Sequence, residues 1–407
     1  MLCQFTVKNF KSIRDEVTLD MQASSISEHT DKIIKLGGKD NLLPVAVIYG
    51  PNGGGKSNVL KALHALIARV ELPILAIGLG KKVNGGYHIE PFAFSKETVQ
   101  SPTEFELFFR TKLAEYRYQL DVKGNYIQHE RLDRMKLETK RRSFLFERDE
   151  NKIVLKGDLA KLKVSTDLSS EMPLLSYLGI TFGNNEIIKD VINWFLLKTS
   201  IFDYGNPSHE QTAFVPSTEE EKNKITKLMQ DMGLDIIDFR METEGNKIID
   251  VFTKHVVDNC EFELNLKDES SGTIKIFGMS PLIIDSLNNG KTLIIDELDA
   301  KLHPLLLRYV IELFTSMEIN KYGAQLIFTS HDLSTMNADV FRRDEIWFVA
   351  KGEEQNSKLY SLVEFKTKKG KRARKDARYD KQYLESKYGA DPYLNKINQL
   401  GEIDCGF

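Results

Sequence analysis

Apolar residues gather in two patterns along the chain, continuous runs and strict alternations, and the two patterns predict two kinds of sheet. Leu42-Leu43-Pro44-Val45-Ala46-Val47-Ile48-Tyr49, Thr292-Leu293-Ile294-Ile295 and Gln325-Leu326-Ile327-Phe328 are continuous and of strand length, as expected of strands covered on both faces. After the first, Val59, Leu60, Leu63, Leu66, Ile67 and Val70 recur at the helical period. Alternation marks residues 3–10, with Phe5 and Val7 on one face, then 17–21, 92–94, 104–109, 116–122 and 126–130. The first two predict a hairpin ahead of the first buried strand. The last two flank Gly124-Asn125, a hairpin turn, and the group reads as an antiparallel, half-exposed sheet. A further strand pair is predicted at 143–147 and 152–155, and single strands at 247–252 and 262–266. Helical patterns cover 187–197, 218–232 and 274–287; Ser217/Thr218 with Glu220/Glu221 form a capping box for the second, and Asn288-Asn289-Gly290 ends the third. Residues 24–40 and 78–86 are polar or glycine-rich and read as loops, the second as a mobile one. No heptad is sustained, which argues against a long coiled-coil arm.

At 407 residues the chain is long enough for two lobes, or for one α/β domain with a large insertion. A formal net charge of -3 excludes a globally basic nucleic-acid coat while permitting a local patch. Cys3, Cys260 and Cys405 are odd in number and far apart, which predicts neither a disulfide framework nor a Cys-x-x-Cys metal site. Leu2-Cys3-Gln4-Phe5-Thr6-Val7-Lys8 lacks the basic start and apolar centre of a signal peptide, and no apolar run approaches membrane-spanning length. A cytoplasmic location without membrane attachment is expected.

The candidate chemistry sits at the ends of the continuous runs. Gly50-Pro51-Asn52-Gly53-Gly54-Gly55-Lys56-Ser57 fits the phosphate-binding loop pattern, between a strand and a helix as that pattern requires. Its glycines let backbone N–H groups face phosphate oxygens, Lys56 reaches the β- and γ-phosphates of ATP, and the Ser57 hydroxyl holds Mg²⁺. The second run ends in Asp296 and Glu297, the first placed to orient Mg²⁺ and the second to act as base toward an attacking water. The third ends in Ser330-His331, where an imidazole meets ligands at the carboxyl edge of a parallel sheet. Ser270-Ser271-Gly272 opens the helix before the Asp296 strand and offers a second anion site. Two separated anion sites suit one ATP if a second subunit supplies one of them. Lys366, Lys368, Lys369, Lys371, Arg372, Arg374, Lys375 and Arg378 form a basic strip for which nucleic acid, a solvated loop and an acidic protein partner all remain open.

Glu269-Ser270-Ser271-Gly272-Thr273 resembles the ABC signature in its Ser-Ser-Gly form. The run from Asp296 to Pro304 resembles the carboxylate strand and following D-loop of SMC-like and RecF-like ATPases, with His303 where many ABC proteins carry an aspartate. Residues 5–12 resemble their N-terminal strand and turn, where Lys11 and Ser12 would lie near the nucleotide, and Pro91-Phe92 falls in the Q-loop region. Among such proteins the chain most resembles the compact ATPases of bacterial defence and abortive-infection loci, the RloA and AriA type, which share a C-terminal Tyr-Gly-Ala-x-Pro segment like Tyr388-Gly389-Ala390-Asp391-Pro392. The resemblance implies an α/β fold: an ABC-type P-loop ATPase head with an antiparallel β lobe and an inserted α/β or mostly helical region. It implies division into 1–130 and 261–365 as the two parts of the head, 131–260 as an inserted lobe for a partner or trigger, and 366–407 as a basic C-terminal segment. It further implies ATP and Mg²⁺ as cofactors, and a homodimer or higher oligomer closed around ATP. Its output would be control of a separately encoded nuclease or toxin in answer to a phage trigger. A RecF-like DNA-repair ATPase and an ATP-bound scaffold with little turnover are the alternatives. The residues after His331 hold no Asp-x-Asp pair, so the chain is not expected to be a nuclease itself.

Overall fold

The computed structural model describes residues 1–37, 40–81, 88–165, 168–202, 216, 218–244, 247–352, 354–366, 373–374, 377–385 and 387–390. Strands β1 (Leu2–Lys8) and β2 (Val17–Asp20) form the predicted hairpin, and β3 (Val45–Tyr49) leads into helix α1 (Lys56–Gly78). β3 starts three residues later than the apolar run because Pro44 has no N–H to give; its carbonyl accepts from Leu326 at the sheet entrance. Helix α2 (Lys96–Gln100) is followed by β4 (Thr103–Arg110), β5 (Ala114–Lys123), β6 (Tyr126–Lys136), β7 (Arg142–Asp149) and β8 (Lys152–Leu155). Next come α3 (Leu174–Phe182), α4 (Glu186–Leu197), β9 (Thr199–Phe202) and α5 (Glu219–Asp231). The chain continues through β10 (Asp238–Glu244), β11 (Lys247–Val257), β12 (Cys260–Asn265) and α6 (Ser271–Asn289). It ends with β13 (Thr292–Ile295), α7 (Pro304–Thr315), β14 (Gln325–Thr329), β15 (Ile346–Lys351), β16 (Ser357–Ser361) and α8 (Tyr379–Leu384).

Among the described residues these strands make three sheets. β2-β1-β4-β5-β6-β7-β8 is antiparallel throughout and is the predicted β lobe; β10-β11-β12 is a small antiparallel sheet. The core sheet, β16-β15-β3-β14-β13-β9, is parallel from β15 to β9, with β16 antiparallel at one edge. Side chains alternate across it. Ala46, Ile48, Ile294, Ile327, Trp347 and Val349 pack with α1, α3, α4 and the β lobe. Val45, Val47, Tyr49, Leu293, Ile295, Leu326, Phe328, Ile346 and Phe348 pack with α5, α6 and α7 on the other face. Burial on both faces is why these strands read as continuous apolar runs. The α/β architecture with an antiparallel lobe is present.

Several predicted elements differ. Residues 92–94 form a turn and not a strand, because Asn9 Oδ1 accepts the Phe92 N–H at 2.9 Å and Asn9 Nδ2 donates to the carbonyls of Thr98, Ser101 and Pro102. The boundary expected at residue 130 falls inside β6, where Glu130 is fully buried. Its carboxylate accepts from Leu174 and Leu175 N–H at the start of α3 (2.6 and 2.8 Å) and from the Tyr118 hydroxyl (2.9 Å). Within the predicted lobe 131–260, β7 and β8 extend the β lobe, α3 and α4 pack with α1, and β9 joins the core sheet, whereas β10, β11 and β12 form the separate small sheet. Sequence reading missed β9, α3, α7, β10, β15 and β16, which are short, amphipathic or without a clean period. In the C-terminal segment Tyr379, Tyr383, Tyr388 and Ala390 are buried, with the Tyr383 and Tyr388 rings 5.6 and 5.1 Å from that of Phe348. Of the basic strip only Lys366, Arg374 and Arg378 are described; its other members, Ser217 of the capping box and most of the 78–86 loop lie outside the described residues. Thr218 itself caps α5, accepting from Glu221 N–H at 3.2 Å.

Candidate functional site

Parallel β3, β13 and β14 end at one edge of the core sheet and deliver the three candidate segments there together. After β3 the chain passes through residues 50–55 into α1, which begins at Lys56. Gly55 is its N-cap, with φ 107°, and has no side chain to cap the first N–H groups of α1, of which Asn58 N–H bonds the Gly55 carbonyl at 3.0 Å. A Cβ at Gly55 would fall on Ser357 Oγ and lie 2.7 Å from Ser12 Oγ, and one at Gly50 would lie 2.5 Å from the Val349 carbonyl. The backbone is therefore gripped from outside. The Ser357 hydroxyl lies 2.8 Å from Ser12 Oγ and 2.7 Å from the Gly54 carbonyl, and Asn58 Nδ2 donates to Ser12 Oγ at 2.7 Å. Asn52 and Gly53 at the tip are exposed. Lys56 is 6% exposed, and its ammonium donates to the loop's own Gly50 and Pro51 carbonyls at 2.9 and 3.3 Å. Burial holds its pKa below the usual lysine value, opposed by Asp296, Glu297 and Asp299.

The carboxylates are ordered by β14. Thr329 donates its hydroxyl to Asp296 Oδ1 at 2.6 Å and accepts the Glu297 N–H at 2.7 Å. Glu297 is exposed and left-handed at φ 53°, a conformation that costs a non-glycine residue about 1–2 kcal/mol. The Asp299 carboxylate accepts the His331 N–H at 3.0 Å, which ties the turn after Asp296 to the turn after β14. His331 is exposed beyond the strand end; partial burial and then the Lys56 ammonium hold its pKa below the ordinary histidine value, against the pull of Asp299, Glu297 and Asp296.

Ser270 caps α6, its hydroxyl accepting the Thr273 N–H at 3.1 Å, and Ser271 and Gly272 form the exposed to half-buried first turn. A Cβ at Gly272 would lie 3.1 Å from the Lys301 carbonyl, so the start of α6 is close against the turn that follows Glu297. Before it, Glu269 Oε1 meets the Thr253 hydroxyl at 2.6 Å and His255 Nε2 at 2.7 Å, which fixes the helix start to β11. Helix α6 lies on the face of the core sheet opposite to α1.

The structure thus brings Gly50, Gly54, Gly55, Lys56, Ser57, Asp296, Glu297, His331 and Ser12 to one edge. The Lys11 ammonium is paired with Glu90, 3.0 Å from its Oε2. Sequence reading missed Thr329, Ser357, Asn58 and Asp299. Thr329, a polar residue closing an apolar strand, carried a signal; Ser357 lies 345 positions from Ser12 and carried none.

The donor set fits a nucleoside triphosphate with a divalent cation. A glycine loop with no room for side chains at Gly50 and Gly55, and a buried ammonium acted on by Asp296, Glu297 and Asp299, match a ligand that brings its own oxygens. No group of three or more His, Cys, Asp or Glu able to hold a metal ion is present among the described residues.

The family model described as "AAA domain, putative AbiEii toxin, Type IV TA system" matches residues 45–337. No curated protein matches the sequence. The structure is similar to the SMC head domain from Thermotoga maritima, at 13% identity and TM-score 0.43, covering 88% of this chain and 98% of that one. It is similar also to the Smc head domain with a coiled coil and joint from Pyrococcus yayanosii, at 10% identity and TM-score 0.43, covering 89% and 97%. A third is the Smc head domain from Pyrococcus furiosus bound to the C-terminal domain of ScpA, at 12% identity and TM-score 0.41, covering 88% and 96%.

Proposed function

The chain belongs to this AAA-domain family, and from that premise we propose that it is an ATP-hydrolysing switch of bacterial anti-phage defence that restrains or releases a separately encoded toxic effector. ATP lies along residues 50–57, with Lys56 leaving its loop carbonyls for the β- and γ-phosphates. Ser57 and Asp296 hold Mg²⁺, which when bound neutralises charge on the phosphate oxygens. Glu297 accepts a proton from the attacking water, and His331 hydrogen-bonds that water or the γ-phosphate.

One observation carries the reading: the two helix starts suited to anions, those of α1 and α6, belong to helices on opposite faces of one core sheet. A single bound ATP uses both only when a second copy presents its Ser270-Ser271-Gly272. Closing such a pair moves whole subunits and so hides or exposes docking surfaces for an effector. The family description, with its putative AbiEii toxin and type IV toxin–antitoxin wording, supports a toxin–antitoxin setting for this switch.

The test is E297Q. It should bind ATP like the wild type, turn it over about two to four orders of magnitude more slowly and accumulate as an ATP-dependent pair on size exclusion. S271R should be inactive alone and recover when mixed with Lys56→Ala, since one composite site is then intact. Near-normal turnover by E297Q, or full activity of S271R alone, overturns the assignment.

A further inference from the structure

Helix α6 presents its start to solvent on one side and drives a buried cation into the turn that carries Glu297 on the other. Lys275 stands one helical turn from Ser271 and is fully buried, among Ile276, Phe277 and Met279. Its ammonium donates to the carbonyls of Glu297 (2.8 Å), Leu298 (2.8 Å) and Ala300 (2.7 Å), one for each N–H it has. Those carbonyls converge because the turn is wound tightly: Glu297 and Lys301 are both left-handed, at φ 53° and 61°, and Ala300 N–H returns to the Glu297 carbonyl at 3.1 Å. Neither residue type favours that conformation, so the turn takes its shape from what grips it. On the β14 side the grip is the Thr329 hydroxyl and the His331 N–H; on the α6 side it is Lys275.

We propose that Lys275 is a positioning residue that couples the anion-receiving start of α6 to the orientation of Glu297 in the same subunit. This rests on the paired-site reading above. In that pair the α6 start serves the ATP of the opposite subunit, whereas Glu297 serves the subunit's own. A shift of α6 as the opposite γ-phosphate seats against Ser270-Ser271-Gly272 moves the ammonium. Three carbonyl hydrogen bonds then carry the shift into the Glu297 turn. Occupancy of one site thereby readies the other, and hydrolysis by the pair is cooperative in ATP.

The experiment compares wild type, K275M and K275R for ATP affinity by titration, for steady-state hydrolysis against ATP concentration, and for melting temperature. Wild type should show a Hill coefficient above 1. K275M should keep its ATP Kd within about 2-fold and its KM near the wild-type value, lose about 100-fold in kcat through misplacement of Glu297, and fall to a Hill coefficient of about 1. K275R, which keeps the charge and the donors, should recover part of kcat and of the cooperativity. If K275M does not fold, K275Q, with two donors left, is read in its place by the same criteria. Wild-type kcat and cooperativity in the variant overturn the proposal, as does a loss of ATP affinity and melting temperature that K275R shares in full, which marks a structural lysine only. Failure of the paired-site reading shows separately, in a wild type that hydrolyses ATP without cooperativity or self-association, and that result also overturns the coupling.

Discussion

Thr329 and Asp296 share a short hydrogen bond, the Thr329 hydroxyl donating to Asp296 Oδ1 at 2.6 Å. Because that hydroxyl has one proton and gives it to the carboxylate, its lone pairs are free for the Glu297 N–H, which it accepts at 2.7 Å. A single side chain at the end of β14 thus sets one carboxylate through its oxygen and the next through its backbone.

T329V keeps the shape of this side chain and removes both bonds, leaving the Glu297 N–H without its partner at a half-closed site. The expected result is a loss of about 1–3 kcal/mol in stability and a kcat lowered by at least about 10-fold, with ATP affinity little changed. T329S retains the hydroxyl and should stay near wild type in both. Chemical denaturation and steady-state hydrolysis check the pair, and equal behaviour of Val and Ser at this position would refute the role.

Gly55→Ala places a methyl group where Ser357 Oγ and Ser12 Oγ lie, at a backbone φ of 107° that alanine rarely adopts. The loop must open or the Ser12–Ser357 contact must break, and either moves the N–H groups at the start of α1. Binding of a fluorescent ATP analogue should weaken by at least about 10-fold while far-ultraviolet dichroism stays that of a folded chain. Wild-type affinity in this variant would show that the grip on residues 50–57 is not needed for binding.

Glu345 predicts a pH dependence of stability. It is 1% exposed, its Oε2 accepts the Arg342 N–H at 2.8 Å, and its Oε1 is buried without a hydrogen-bond partner. Burial pushes its carboxyl from the ordinary 4.5 up to about 8, with Asp344 adding to the rise and Arg342 opposing it. The folded protein therefore holds a proton that the unfolded chain has released. This contribution to stability is full below about pH 4.5 and is lost as pH rises through about 8. E345Q keeps the oxygen that accepts from Arg342 and cannot ionise. Its melting temperature should match the wild type near pH 5 and exceed it near pH 9, by an amount on the order of a few kcal/mol in stability. A constant difference across that range would show that Glu345 is not the titrating group.

What the sequence by itself determined is local. Residues 50–57 announced a phosphate loop because glycine spacing, a following lysine and the strand and helix around it all act within a few positions. Asp296, Glu297 and His331 were legible for a related reason: each closes an apolar run, and strands covered on both faces leave polar residues only at their ends. Ser270-Ser271-Gly272 was readable as a helix start from the hydroxyl and glycine alone. The tertiary structure decided what depends on distant partners. Residues 131–260 read as an insertion because nothing local ties them to the head, yet Glu130 accepts from the start of α3 and β9 pairs with β13, while β10, β11 and β12 form a separate small sheet. Phe92 read as a strand residue until Asn9, 83 positions earlier, was seen to hold it in a turn. Lys11, expected beside the nucleotide, pairs with Glu90, a partner that its own neighbourhood in the sequence does not show. Thr329, Ser357 and Lys275 owe their roles to hydrogen bonds across separations of 22 to 345 residues. Periodicity reports which face a residue buries, but the partner met on that face is chosen by how sheets and helices stack, and that choice exists only once the chain has folded.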